Sequence, residues 1–200
     1  RAGLMTGRHY LRTGLYNTRF GGDTLGQKET TIAQVLKSAG YRTGLFGKWH
    51  ADTRGWAPVR GFHQWLTYDE RDAEWINQYQ HSGVVHFSIN GEPYKFDGYQ
   101  SQYLTSEALE FMLDTDRESP FAVFLNYVEP HFPFAGMPER LLPRYRQIAS
   151  ELVPHGDTSA LPAVSQATLS AEQHREAVAQ YLAGVTLIDE QLGRDRKSVV

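Results

Sequence analysis

Residues 40–50, with the sequence GYRTGLFGKWH, constrain the fold of this chain more than any other stretch. Thr30 or Thr31 can cap a helix that ends at Gly40, because a glycine so commonly follows the last helical turn. A strand follows over residues 41–46, which gives a helix and a strand joined by a short connection. This alternation predicts an α/β sandwich with a mostly parallel central sheet flanked by helices.

Other segments repeat the same alternation. Residues 121–128 have the near-continuous apolar run of a parallel strand covered on both faces. The further predicted elements are a helix over 1–6, a hairpin over 84–91 with an Asn-Gly turn, a helix over 103–113, a short helix near 139–147 and a long helix after a Ser170/Gln173 capping box. The long helix should turn six apolar residues inward, namely Val178, Tyr181, Leu182, Val185, Ile188 and Leu192. Residues 51–100 otherwise read as irregular.

Reactive side chains follow both predicted strands. Lys48 and His50 come directly after the first strand, and His131 comes after the second. In open α/β sheets, ligands bind outside the carboxyl ends of the strands. A lysine can neutralise an anion and a histidine can move a proton near neutral pH. The stretch therefore predicts an anion-handling site, with a surface lysine and a histidine at the edge of the core as the alternative.

Composition excludes several classes of protein. The net charge of −3 argues against a general nucleic-acid binder, and the absence of cysteine excludes disulfides and zinc-thiolate sites within these residues. The longest apolar run is too short to span a bilayer. The aspartates, among them Asp69 and Asp72, sit in polar surroundings that favour solvent exposure, so no metal ligand is predicted in this chain.

Several motifs together resemble the sulfatase family, whose fold is alkaline-phosphatase-like. Residues 1–8, RAGLMTGR, resemble the second half of the first signature, C-x-P-S-R-x-x-L-x-T-G-R. Residues 40–50 resemble the second signature, G-Y-x-T-x-x-x-G-K-W-H, although here Ala51 and Asp52 replace the Leu-Gly that often follows. Residues 130–133, PHFP, and 61–63, GFH, resemble further family segments, and residues 187–194 resemble the helix before a metal-binding strand.

The resemblance implies a role for four residues. Arg1 would hold the nucleophile and sulfate oxygens, at the start of a helix whose free N–H groups favour anions. Lys48 would contact the same groups, so that it is both catalytic and substrate-binding. His50 would help to eliminate sulfate from the covalent intermediate. His131 would bind substrate near the leaving-group oxygen and donate a proton to it. The other histidines, such as His63 and His81, match no catalytic position and are expected to be structural or on the surface.

The resemblance also implies groups that lie outside this sequence. Family members use a formylglycine, made by a maturation enzyme from the cysteine of C-x-P-S-R, which would lie upstream of Arg1. A divalent cation, usually calcium, would be bound by carboxylates and an asparagine before Arg1 and after Arg194. We therefore expect residues 1–194 to be part of a sulfatase catalytic domain, truncated at both ends, and residues 195–200 to be an irregular or artificial end.

The function implied is the hydrolysis of a small-molecule or carbohydrate sulfate monoester, with no nucleic-acid partner and no membrane span. Three alternatives remain: a phosphate or phosphonate monoester hydrolase of the same superfamily, a non-catalytic sulfate- or carbohydrate-binding protein, and a fragment without activity of its own. By resemblance the parent protein would be periplasmic or secreted.

Overall fold

A computed structural model describes residues 1–15, 25–26, 28–51, 60–68, 81–152 and 170–198, with side chains up to residue 194. The helices are α1 (Ala2–Thr6), α2 (Ile32–Ser38), α3 (Gln100–Leu113), α4 (Leu142–Leu152) and α5 (Ala171–Ser198). The strands are β1 (Arg42–Gly47), β2 (Gln64–Tyr68), β3 (Val84–Ile89), β4 (Glu92–Asp97) and β5 (Phe121–Asn126). A short 3₁₀ helix covers Tyr10–Arg12.

The five strands form one sheet in the order β4-β3-β2-β1-β5. β1 lies between β2 and the edge strand β5 and is parallel to both, whereas β3 and β4 are antiparallel additions. The predicted α/β sandwich is confirmed, with a mixed sheet that is parallel around β1. The antiparallel pairing of β3 with β4 follows from the Asn90-Gly91 turn, where both residues have positive φ, 49° and 102°, as a tight primed hairpin requires.

Alternate residues of β1 build the two layers of the core. Leu45 packs on one face with Ala33 of α2 and with Trp49. Phe46 packs on the other face against α3, where its ring meets that of Phe111 edge-on at 5.7 Å. Because side chains alternate across a strand, the apolar pair at 45 and 46 needs cover on both faces, and the flanking helices provide it.

Two predicted helix starts are confirmed by their caps. Thr31 and Gln34 form a reciprocal capping box, in which the Thr31 hydroxyl accepts from the Gln34 amide at 3.2 Å and Gln34 Oε1 accepts from the Thr31 amide at 2.9 Å. Ser170 and Gln173 repeat the arrangement before α5, at 3.2 and 2.8 Å. Each box satisfies two backbone donors that the first turn of a helix otherwise leaves open.

Four predicted features of the secondary structure differ from the structure. The span 51–100 was predicted to be irregular outside its hairpin, yet it contributes β2, whose Trp65 is buried in the core. α3 begins at Gln100 rather than at residue 103, and α4 extends to Leu152. β5 is shorter than predicted and half-buried along most of its length rather than covered on both faces. An apolar run shows that a strand is hydrophobic but does not show how many layers cover it.

The predicted inner face of α5 is wrong for three of its six residues, and the other three are half-buried. Tyr181, Val185 and Leu192 are exposed, and the buried apolar residues of the helix are Ala179, Ala183 and Leu187. Small residues let the helix approach its neighbours closely, and the methionine sulfur of Met137 lies 3.4 Å from the position of a Cβ on Gly184. The helix also continues to Ser198, so residues 195–198 are helical rather than irregular, while 199–200 lie outside the described residues.

Candidate anion site at the end of the central strand

The end of β1 is built by close contact with β5. Gly47 is paired with Asn126 and has a φ of 100°, and a Cβ at Gly47 would lie 2.2 Å from the Asn126 carbonyl oxygen. The amide of Lys48 donates to that same oxygen at 2.8 Å. Only glycine fits both the conformation and the space. The contact therefore fixes the end of β1 and, with it, the position of Lys48. This lysine is 6% exposed.

The beginning of β1 is held by the segment that resembles the family's G-F-H element. The buried hydroxyl of Thr43 donates to the Gly61 carbonyl at 2.6 Å, and the amide of Thr43 donates to Nδ1 of His63 at 3.1 Å. These bonds bind the segment before β2 to β1. Within the second signature Thr43 is therefore a structural residue, and His63 has the structural role that the sequence predicted.

Arg1 and His50 lie beside the buried lysine. Arg1 is exposed as a residue, but its guanidinium is turned inward, with Nη1 3.5 Å from the Trp49 carbonyl oxygen, and burial lowers its pKa. His50 is half-buried and takes a φ of 55°, in the left-handed region that non-glycine residues seldom adopt. That turn directs the chain away from the strand directly after Lys48.

His131 reaches the same place from β5. Its amide donates to the Val128 carbonyl at 3.0 Å, which closes a turn just after the strand. Nδ1 lies 2.6 Å from the Phe132 carbonyl oxygen. Because a carbonyl only accepts, Nδ1 carries the hydrogen in this contact, and Nε2 is the nitrogen that can gain or lose the second proton.

Charge interactions link His50 to Arg1, Lys48 and His131. The pKa of His50 falls from its ordinary 6.5 to about 4, first because of burial and then because of the charges of Lys48, Arg1 and the α-amino group of Arg1, with a smaller contribution from His131. Charges shift a pKa appreciably only over short distances in a partly buried setting. Residues far apart in the sequence thus form a cluster rich in cations and donors at the carboxyl ends of β1 and β5.

Other signature residues have supporting roles. Arg8 forms an ion pair with Glu29 at 2.7 Å. Trp49 is 4% exposed and packs edge-on against Phe62, so it is a packing residue. Ala51 is fully buried, and its carbonyl accepts from the Leu25 amide at 3.0 Å. The departure from the family pattern at position 51 is therefore accommodated within the core.

The sequence does not associate two further residues with the site, although both lie near it. His81 is 2% exposed and lies under the His131 turn, although the sequence assigned it no role beyond structure or surface. Glu129 is 5% exposed and immediately precedes Pro130. The only signal for Glu129 was its position between a buried strand and PHFP, and His81 stands in a segment with no regular pattern.

The described residues do not fit a metal centre. Across the ranges that the structure describes, no three histidine, aspartate or glutamate side chains come together as a metal site would need. Asp69 and Asp72 lie outside the described residues. No step of the reaction is therefore assigned to a metal through these residues.

We predict a pH dependence from the depressed pKa of His50. Between pH 6.5 and about 4 the unfolded chain binds a proton at this residue that the folded chain does not. The contribution of His50 to the free energy of unfolding is therefore fully present above pH 6.5 and is lost as the pH falls toward 4. His63 and His81, whose pKa values burial also lowers, act in the same direction. His50→Asn should reduce this loss while keeping the left-handed backbone, which asparagine tolerates.

The measurement is the unfolding midpoint of the unaltered protein and of His50→Asn as a function of pH, together with the NMR titration of the His50 ring in the unaltered protein. A ring that titrates near 6.5, or an identical pH profile for His50→Asn, would contradict the assignment.

Comparison with known proteins agrees with this geometry. The Sulfatase family model matches residues 1–196. An uncharacterized sulfatase, YdeN of Escherichia coli K12, is 28% identical over 154 residues, which cover 66% of this chain and 27% of that protein. An N-acetylglucosamine-6-O-sulfatase of Bacteroides thetaiotaomicron is 26% identical over 148 residues, or 70% of this chain and 23% of that protein. The chain thus spans about a quarter of the length of these two relatives.

Solved structures share the fold. The putative sulfatase yidJ of Bacteroides fragilis superposes with a TM-score of 0.71 at 24% identity, over 99% of this chain and 47% of that one. The phosphonate monoester hydrolase of Agrobacterium radiobacter gives 0.58 at 17% identity, over 99% and 48%. These likenesses show the alkaline-phosphatase-like fold, and the match to the family model over nearly every residue shows the family. This chain belongs to the sulfatase family.

Proposed function

We propose that this chain forms the sulfate-binding part of a sulfatase that hydrolyses aryl or carbohydrate sulfate monoesters. The observation that carries the proposal is the proximity to His50 of side chains from three segments, namely Arg1, Lys48 and His131. A sulfate ester is an anion whose charge moves onto the departing oxygen as the S–O bond breaks. Fixed cations and donors around that group stabilise the change, because they need no reorganisation during the reaction.

Each residue has a distinct part in the proposal. Lys48 and Arg1 hold the sulfate oxygens. His50, with a pKa of about 4, is neutral at physiological pH and so can accept a proton. His131 donates a proton from Nε2 to the leaving oxygen, so that the product departs as an alcohol or phenol rather than an alkoxide. Water supplies the hydroxyl that ends on the sulfate.

Groups that the family implies are part of the proposal for the full-length protein. A formylglycine upstream of Arg1, made by a maturation enzyme, would supply the nucleophile when present. Calcium or another divalent cation would be bound by residues other than those described. We further propose a periplasmic or secreted location, by analogy with the family. None of the helices in the described ranges has the length and apolar composition needed to cross a membrane.

The substrate profile of the full-length protein tests the proposal. We expect turnover of p-nitrophenyl sulfate to exceed that of p-nitrophenyl phosphate and phenylphosphonate esters. The shared fold with a phosphonate monoester hydrolase makes those esters the necessary comparison. Dominant turnover of the phosphorus esters would overturn the proposal in favour of a phosphonate or phosphate hydrolase. Tight binding of sulfated ligands without turnover would indicate a binding protein instead.

A further inference from the structure

His81 lies directly under the turn that carries His131. Its Nε2 is 2.7 Å from the His131 carbonyl oxygen and 3.1 Å from the Pro133 carbonyl oxygen. Both partners only accept, so Nε2 carries a hydrogen that is shared between them. One side chain therefore binds the backbone on both sides of Phe132, and it does so from a position fifty residues earlier in the sequence.

Burial favours the neutral form of the His81 ring. The residue is 2% exposed, and burial lowers its pKa. Nδ1 is buried and has no hydrogen-bond partner among the described residues, as expected if it is the bare nitrogen of the neutral ring. A neutral ring with its hydrogen on Nε2 is a donor of fixed direction, which suits a residue that positions a neighbouring backbone.

The start of α3 lies against the same turn from a second side. Glu129 is buried beside the hydroxyl and amide of Ser101, in the first turn of that helix. Burial raises its pKa, and the Ser101 donors act in the opposite direction without reaching good hydrogen-bond geometry. The Gln100 amide also donates to the His81 carbonyl at 3.4 Å. His81 therefore lies between the start of α3 and the His131 turn and is attached to both.

We infer that His81 is a positioning residue that holds the backbone of His131 so that its imidazole faces Lys48 and His50. The inference rests on the proposed function, in which His131 protonates the leaving oxygen. A displaced donor hinders only the reactions that need its proton. Loss of the His81 contacts should therefore slow esters with poor leaving groups much more than esters with good ones.

The test measures kcat for aryl and alkyl sulfates of graded leaving-group acidity in the full-length protein. We expect His81→Ala to lower kcat by about 10²-fold for alkyl sulfates, since misplacement by about 1 Å has that effect. Its effect on p-nitrophenyl sulfate should be only a few-fold, with KM little changed. His81→Gln, which can place an N–H near the position of Nε2, should restore most of the loss.

A matched control is His86→Ala. His86 is also buried, at 5% exposure, but it lies on β3 in register with Lys95, on the far side of β2 and β1 from the His131 turn. The His86→Ala substitution should leave the dependence of kcat on leaving-group acidity unchanged. In a His131→Ala background, His81→Ala should add no further dependence, because the two residues act through one proton donor.

An equal loss for good and poor leaving groups, or no loss at all, would overturn the inference. If His81→Ala does not fold, His81→Asn replaces it, because its shorter amide places no donor near Nε2. Equal leaving-group dependence in the Gln and Asn variants would then refute the positioning role. A wild-type protein that hydrolyses none of the sulfates refutes the proposed function instead, so the two failures are distinct.

Discussion

Gly47→Ala is expected to destabilise the protein by more than about 3 kcal/mol and to abolish activity in the molecules that still fold. Two effects add at this position. Alanine disfavours the φ of 100°, and its Cβ would lie 2.2 Å from the Asn126 carbonyl oxygen. That atom is backbone within a parallel strand pair, so it cannot move away as a flexible side chain would. Either β5 separates from β1 or Lys48 is displaced.

Gly40→Ala is the matched control for this substitution. Gly40 has a similar φ of 89°, but nothing lies within 4 Å of its Cβ position. It should therefore show only the conformational cost, about 1–2 kcal/mol, with activity retained. Urea unfolding of both variants with a kcat/KM assay measures the difference. Equal destabilisation by the two would show that the contact with Asn126 contributes nothing to holding the strand end.

Lys48→Met is the second substitution for which we expect a large effect. Methionine keeps an unbranched side chain of similar length in a position that is 6% exposed, but it removes the charge. The loss of one preorganised electrostatic contact to the reacting group typically lowers kcat by about 10²–10³-fold. Lys48 and Arg1 both act on His50 through their charges, so the substitution removes one of the cations that affect this residue.

The control for the lysine is Lys37→Met, an exposed position near the end of α2. It should leave kcat/KM for p-nitrophenyl sulfate within about two-fold of the unaltered protein, since surface substitutions seldom act at a distance. A Lys48→Met variant as active as this control would remove Lys48 from the site and with it the main cation of the proposal.

The sequence predicts the fold correctly where hydrogen bonds between neighbouring residues determine the local structure. The capping boxes at Thr31 and Ser170 and the Asn90-Gly91 turn follow from hydrogen bonds within a few residues, and each lies where the sequence predicted it. The inner face of α5 was not readable in this way. A helix with apolar residues on two stripes can bury either, and the choice depends on neighbours such as Met137 that the helix sequence does not specify.

The candidate site shows the same limit. Lys48, His50 and His131 were predicted because each follows a strand and matches a motif, and the parallel pairing of β1 with β5 brings them together. Their catalytic roles stay predictions. The contacts of His81 could not be predicted, because its partners are the backbone carbonyls of His131 and Pro133. Every residue has a backbone carbonyl, so residue types do not reveal such partners. Sequence motifs therefore identify reactive side chains more readily than the residues that position them.

The two edges of the sheet differ in what they can accept. β4 presents Glu92, Pro93, Lys95 and Asp97, so charges and a residue without an N–H discourage another strand from pairing there. β5 has the sequence FAVFLN, with no charge and no proline, and its side chains are only half-buried. Of the two edges formed by the described strands, β5 is therefore the one that favours pairing with a further strand, and such a strand would lie on the side of the sheet that carries His131.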